Sequence, residues 1–213
     1  MEIDEKILAM RNELREKIIH PEKNIDKETL AKELTSSIYD DNVNIFGKTK
    51  IFEDKILFDK LISLRLPSDF ICLNEEIIKR IYPMGNPPQI VLSDETDYFF
   101  SVGLSYLSYS LPETGLKKHV QNIWTVLDRL GPKTGFIKME IIKSKDNTPI
   151  AVLEFTSLAI DTAVYNIQFY ASIQGKALMG TVNFPFRRKE RLVPLVREIV
   201  ASLKNLTKKE VAV

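Results

Sequence analysis

The sequence predicts an α+β protein, with an antiparallel β-sheet flanked by helices and preceded by a helical extension. Two observations carry this. From about residue 43 the apolar spacing changes from steps of three and four to steps of two, the change from helix to strand. The strands so marked are joined by connections of hairpin length, such as Asp146-Asn147 and Gln174-Gly175. A parallel doubly wound sheet needs a long crossover between strands, so the antiparallel arrangement is what remains.

The extension is assigned to residues 1–40. Ile3, Ile7, Met10, Leu14 and Ile18 draw one apolar stripe, and His20-Pro21 ends that helix. Asp26 is placed as the cap of a second helix carrying Leu30, Leu34 and Ile38. Both stripes are narrow, which suits helices that pack on each other, on the main domain or on a partner.

The main domain is assigned to residues 43–205. Ile62, Leu64 and Leu66 alternate with Ser63 and Arg65 in a strand stopped by Pro67. A short helix follows from Asn74 to Tyr82. Gln89–Leu92 and the alternating row Tyr98, Phe100, Val102, Leu104 and Tyr106 read as a hairpin around an acidic turn, Asp94-Glu95-Thr96-Asp97. Leu116, Val120, Ile123, Trp124, Leu127 and Leu130 give the widest helical face, closed by Gly131-Pro132. Four strands then run in a meander: 137–141, 150–155, 165–173 and 177–184. In the third, Tyr165, Ile167 and Phe169 face a core while Asn166, Gln168, Tyr170 and Ser172 lie nearer water. A last helix carries Leu192, Leu195, Val196, Ile199, Val200 and Leu203, with Pro194 expected in its first turn. Residues 206–213 are assigned to a frayed tail.

Composition narrows the function. The 213 residues are 44% hydrophobic and 28% charged, enough for a core that needs no disulfide or metal staple. Thirty Lys+Arg against 29 Asp+Glu leave a net charge of +1, without the basic excess of nucleic-acid binders. Cys72 is alone, so it forms no intramolecular disulfide and reads as a small buried hydrophobe. Met1-Glu2-Ile3-Asp4-Glu5-Lys6 lacks the apolar stretch of a secretory signal, and no run approaches the roughly 18 apolar residues of a membrane span. If Met1 is the natural start, a cytoplasmic location is expected.

A resemblance enters on three segments: Leu64-Arg65-Leu66-Pro67-Ser68-Asp69-Phe70; Val164–Phe169 with Gly175–Thr181; and the "Leu-Val-x-x-Ile-Val-x-Ser-Leu" look of the terminal helix. Over roughly residues 50–204 the chain resembles the PsbP-like superfamily. Ile81–Val91 is similar to bacterial members of a Firmicutes-like branch. The resemblance implies an α/β/α sandwich. It implies no chemistry, because members as different as an extrinsic photosystem II protein, a Ran-binding factor and bacterial lipoproteins share the fold.

Catalytic signatures fail in turn. Gly47-Lys48-Thr49 looks like the end of a phosphate loop, but Asn42 stands where its first glycine belongs; a turn after Phe46 is the better reading. Ser105 sits in an alternating strand without a nucleophile motif. His20 and His119 lack a partner at metal-ligand spacing, and Asp94, Glu95 and Asp97 lack the glycine and distal glutamate of a calcium loop. Glu154 and Asp161 have no second catalytic group tied to them by the sequence. Asn205-Leu206-Thr207 matches the glycosylation pattern in form only. No enzyme activity, metal or cofactor is therefore expected.

Two surface features remain as binding candidates. Arg187, Arg188, Lys189 and Arg191 gather positive charge where a helix begins, which opposes the helix dipole and suits an anionic partner. Tyr82-Pro83-Met84-Gly85-Asn86-Pro87-Pro88 is a stiff loop that would present Tyr82, Met84 and Asn86. The expectation is a non-enzymatic protein-interaction module, with a protein partner or self-association through the N-terminal helices. The alternative is a small-molecule or lipid-binding domain using a cleft between sheet and helices.

Overall fold

The computed structural model describes residues 36–82, 86–94, 100–130, 134–158 and 163–208. Among the described residues, twelve strands and three α-helices follow in chain order. β1 (Val43–Ile45) and β2 (Lys48–Lys50) form a hairpin, then come β3 (Phe52–Leu57), β4 (Ile62–Pro67) and β5 (Ile71–Cys72). Helix α1 (Glu75–Ile81), β6 (Ile90–Ser93) and β7 (Ser101–Ser110) lead to α2 (Leu116–Leu130). The meander is β8 (Thr134–Lys143), β9 (Pro149–Leu158), β10 (Ala163–Ile173) and β11 (Lys176–Pro185). Helix α3 (Lys189–Ala201) and β12 (Lys204–Asn205) close the described chain.

The main sheet has seven strands in the order β5-β6-β7-β11-β10-β9-β8, every pair antiparallel. A smaller sheet runs β12-β4-β3. The α+β, antiparallel reading holds for the described residues, and the predicted strands lengthen by a few residues at their ends.

Alternation sorts the main sheet into two faces. One carries Val152, Ile167, Phe169, Leu178 and Val182, and packs against Ile62, Leu64 and Leu66 of β4 and Leu192, Val196 and Ile199 of α3. The other carries Ala151, Leu153, Phe155 and Tyr170, and packs under α2 through Leu116, Val120 and Trp124. The first covering layer is thus a small sheet together with a helix, where a helical layer was expected.

Several expectations change. Ile38 is not helical: it lies in a turn and is fully buried, its amide donating to Glu198 Oε2 at 2.8 Å. Residues 36–42 therefore belong to the β-rich unit, and the remainder of the expected extension, 1–35, lies outside the described residues. Tyr170, Ser172 and Asn166 are buried, because α2 covers the face assigned to water. Asp94, expected in a solvated turn, is buried and ion-paired to buried Lys50 at 3.3 Å. Pro194 lies inside α3, after a 3₁₀ turn at Phe186–Arg188 starts the helix early, so its missing N–H leaves a helical acceptor unused. Cys72 is exposed, because the two-residue β5 leaves both of its side chains outside the core.

Candidate functional site

β8 ends the main sheet. It pairs with β9 from Thr134↔Ser157 to Lys143↔Pro149, and among the described strands none pairs with its other side. The register shifts between Phe136 and Lys138, so Ile137 is the extra residue of a bulge. Phe136, Ile137 and Ile141 are 51, 40 and 46% exposed, and Leu158 at the end of β9 is 59% exposed. Large side chains of this kind beside backbone N–H and C=O groups that no described strand pairs with make an edge that another strand can extend.

The edge lies between two helices. On the α3 side, Lys138, Glu140 and Ile142 stand opposite Glu154, Val152 and Ile150. A hollow of about 280 Å³ opens there between Glu140, Ile142, Val152, Ile167, Arg197 and Val200. A second, of about 380 Å³, lies between Ile137, Tyr165, Phe186, Val193 and Pro194. On the α2 side a third, of about 380 Å³, is bounded by Lys117, Val120, Gln121, Met139 and Ile141. Residues of β8 line all three.

A charged chain holds the α3 side. Lys138 Nζ meets Glu140 Oε2 at 2.9 Å, and Glu140 Oε1 meets Arg197 Nη1 at 3.1 Å. The other arm of Arg197 pairs with Glu154, which is only 2% exposed and accepts a hydrogen bond from the Tyr165 hydroxyl at 2.5 Å. Burial, and then the bond to Glu154, push the Tyr165 phenol well above the ordinary tyrosine range. The hydroxyl therefore stays protonated and acts as a donor. Acid–base chemistry gains nothing from this arrangement: the carboxylate is closed off by two partners, and the cation is occupied by two carboxylates.

The residues singled out from sequence fall on different parts of the molecule. Tyr82 caps α1, its amide donating to Ile78 O at 2.8 Å, and its ring is half-buried. Burial raises its phenol pKa. Asn86 is exposed, and Met84 lies outside the described residues. Of the basic cluster, Arg187 is exposed, while the guanidinium carbons of Arg188 and Arg191 stack over the Phe46 ring at 4.7 and 5.1 Å. Lys189 lies 4.3 Å over Phe186 and 3.8 Å from Glu190. The four charges divide: two clasp the β1–β2 hairpin and two stand at the head of α3. Alternation along β7 and β11 sets Gly103 and its neighbour Pro88 on the α2 face, opposite the hairpin. Among the described residues, Pro88 and the basic cluster therefore lie on opposite faces of the sheet.

Other sequence candidates have structural roles. Lys48 opens β2 after a Phe46-Gly47 turn with both φ positive, as the turn reading required. Ser105 is buried in β7 and accepts from the Gln89 amide at 3.4 Å. His119 Nε2 lies 3.1 Å from the Tyr109 hydroxyl, with its ring edge-on to Tyr170, and burial lowers its pKa. Among the described residues no group of three His, Cys, Asp or Glu could hold a metal, and no helix is long and apolar enough to cross a membrane. Asn205 Oδ1 accepts from the Thr207 amide and hydroxyl, so the apparent glycosylation triplet is a capped turn.

Arg197 and Glu140 escaped the sequence reading. A signal existed: Glu154 is the lone charge in Ile150-Ala151-Val152-Leu153-Glu154-Phe155, and a carboxylate within a buried strand requires a cation.

No protein-family model matches the chain, and no curated protein matches it in sequence. Solved structures do. Cyanobacterial PsbP (CyanoP) from Synechocystis sp. PCC 6803 is 13% identical, with a TM-score of 0.54 over 72% of this chain and 92% of that one. LpqN of Mycobacterium tuberculosis, involved in cell envelope biogenesis, is 12% identical, with a TM-score of 0.43 over 67% of this chain and 82% of that one. PA94 from Pseudomonas aeruginosa, a putative regulator of unknown function, is 11% identical, with a TM-score of 0.41 over 71% and 94%. The CyanoP likeness, at so low an identity, is one of fold: the chain has a PsbP-like fold.

Proposed function

We propose that the chain is a non-catalytic protein-interaction module that receives an extended segment along β8. One observation carries this reading: a ten-residue strand lacks a described neighbour on its outer side, exposes Phe136, Ile137 and Ile141, and is flanked by hollows on both faces. An added strand would form main-chain hydrogen bonds with β8 and send alternate side chains toward α3 and toward α2. Peptide display on the immobilised chain tests it. Selected peptides should bind the parent and fail on a Phe136→Lys/Ile141→Lys variant; equal recovery on both would sink the reading.

A second reading rests on the apolar floor of the 280 Å³ hollow, where Val152, Ile167 and Val200 are almost fully buried. A short aliphatic chain fits that floor, with its polar end at Arg197 and Lys143. Titration with fatty acids of increasing length, followed by the fluorescence of a displaced apolar dye, separates the two readings. The exposed Arg187 and half-buried Lys189, together with Tyr82, Met84 and Asn86, are proposed as secondary contact surfaces. A cytoplasmic location and a Firmicutes-like bacterial affiliation are proposed on the sequence alone.

A further inference from the structure

The charges on β8 restrict what can pair with it. Lys138 and Glu140 project on the same face, toward α3, with one residue between them. In an antiparallel pair of identical strands related by a two-fold axis through the sheet, one residue faces its own copy and its neighbours face each other in exchange. Centring the axis on Met139 sets Lys138 opposite Glu140 of the second copy, and Glu140 opposite Lys138 of the second copy. The same register sets Met139 opposite its own copy on the α2 face, bringing together two apolar side chains that are each half-buried. Moving the centre one residue forward puts Glu140 on Glu140, and one residue back puts Lys138 on Lys138. Like charges directly opposite are unfavourable in either case.

We infer that β8 pairs with β8 of a second copy of this chain, antiparallel and centred on Met139, giving one continuous fourteen-stranded sheet; this rests on the strand-receiving reading of the edge. Each copy brings two cations, Lys138 and Arg197, and two carboxylates, Glu140 and Glu154, to the shared face. The joined cluster is neutral, and each Glu140 gains a second lysine. A two-fold axis normal to the sheet keeps the α3 helices on one face and the α2 helices on the other, so each α3 hollow continues across the junction. The bulge at Ile137 lies at the flank of this pairing and leaves the run from Lys138 to Lys143 in regular register with β9.

The test is charge exchange, read by sedimentation velocity on the full chain. The parent should sediment as a dimer that dissociates on dilution. Lys138→Glu makes both facing pairs Glu–Glu, and Glu140→Lys makes both Lys–Lys, so each variant alone should be monomeric. Their equimolar mixture recreates two Glu–Lys pairs and should recover the dimer. Because Glu140→Lys also faces Arg197, Met139→Lys and Met139→Glu serve as a second pair at the centre, where each meets its own copy: each alone should be monomeric and their mixture dimeric. Circular dichroism and melting of every variant establish that it is folded. A monomeric parent, or a dimer untouched by Lys138→Glu, would overturn the second copy as occupant. In that case the peptide display above decides whether the edge receives another strand, because it is scored on peptide binding and not on self-association.

Discussion

Arg197 of α3 reaches across the sheet edge to Glu154, a carboxylate with 2% of its surface exposed, and ties the closing helix to β9. Taking Arg197 away leaves Glu154 buried without its counter-charge, which costs about 3–5 kcal/mol in comparable pairs. Arg197→Met should therefore lower the urea midpoint strongly. Glu154→Gln in the same chain should restore much of the loss, since a neutral amide can still accept from Tyr165. Additive losses in the double variant would show that the two side chains do not depend on each other.

Gly180 stands directly opposite Phe169 in the β10–β11 pair, and the aromatic ring fills the place of its side chain. A β-carbon at Gly180 would lie 2.0 Å from Phe169 Cζ, in a core where neither residue can retreat. Gly180→Ala should cost about 1–3 kcal/mol through overpacking. Phe169→Leu on the Gly180→Ala background should recover part of it. Unchanged thermal stability of Gly180→Ala would remove the close-packing account of this glycine.

How much of this was legible follows from what each residue's neighbours are. The strands of the meander and helix α2 were readable because their apolar spacing is local and long. β12 was not, since two residues carry no periodicity; it exists because Lys204 and Asn205 pair with Ser63 and Ile62, far away in sequence. β1 to β3 are short, and β2 and β3 are charged, so only the change of period near residue 43 announced them. Cys72 and Asp94 were misplaced for one reason: burial at the sheet margin depends on which strand lies beside them, and Lys50 reaches Asp94 across 44 positions. The open edge was equally invisible, because the sequence shows that β8 alternates but not that it comes last in the sheet.

Phe58, Asp59 and Lys60 join β3 to β4 with φ of 52, 50 and 67°, three successive left-handed residues without a glycine. Left-handed backbone costs an ordinary L-residue roughly 1 kcal/mol, whereas glycine adopts it freely and aspartate tolerates it. Lys60→Gly should raise stability by about 0.5–1 kcal/mol, a gain reduced by the extra entropy of the unfolded chain. Asp59→Gly should gain less, and Lys60→Val should lose stability through its branched side chain. Denaturant midpoints of the three variants should fall in that order; a destabilising Lys60→Gly would show that the lysine side chain makes a contact worth more than the backbone relief.

Asp146 sets the pH response of the β8–β9 turn. Burial on its own would raise its pKa, but the Ser144 hydroxyl, the Asn205 amide at 2.7 Å and the Thr148 amide at 3.0 Å all donate to the carboxylate and hold it below 3.8. A depressed folded pKa means that the unfolded chain takes up the proton first, so the contribution to stability is present above about pH 4 and disappears as the pH falls through the folded value. Asp146→Asn should then lose stability at pH 7, by about 1–3 kcal/mol for the charged hydrogen bonds given up. Its deficit relative to the parent should shrink steadily below pH 4, because the parent is protonated there as well. Urea melts of both proteins from pH 7 to pH 2.5 measure the difference. A deficit that stays constant across that range would mean that Asp146 holds the turn to β12 through shape and neutral hydrogen bonding, with its charge making no contribution.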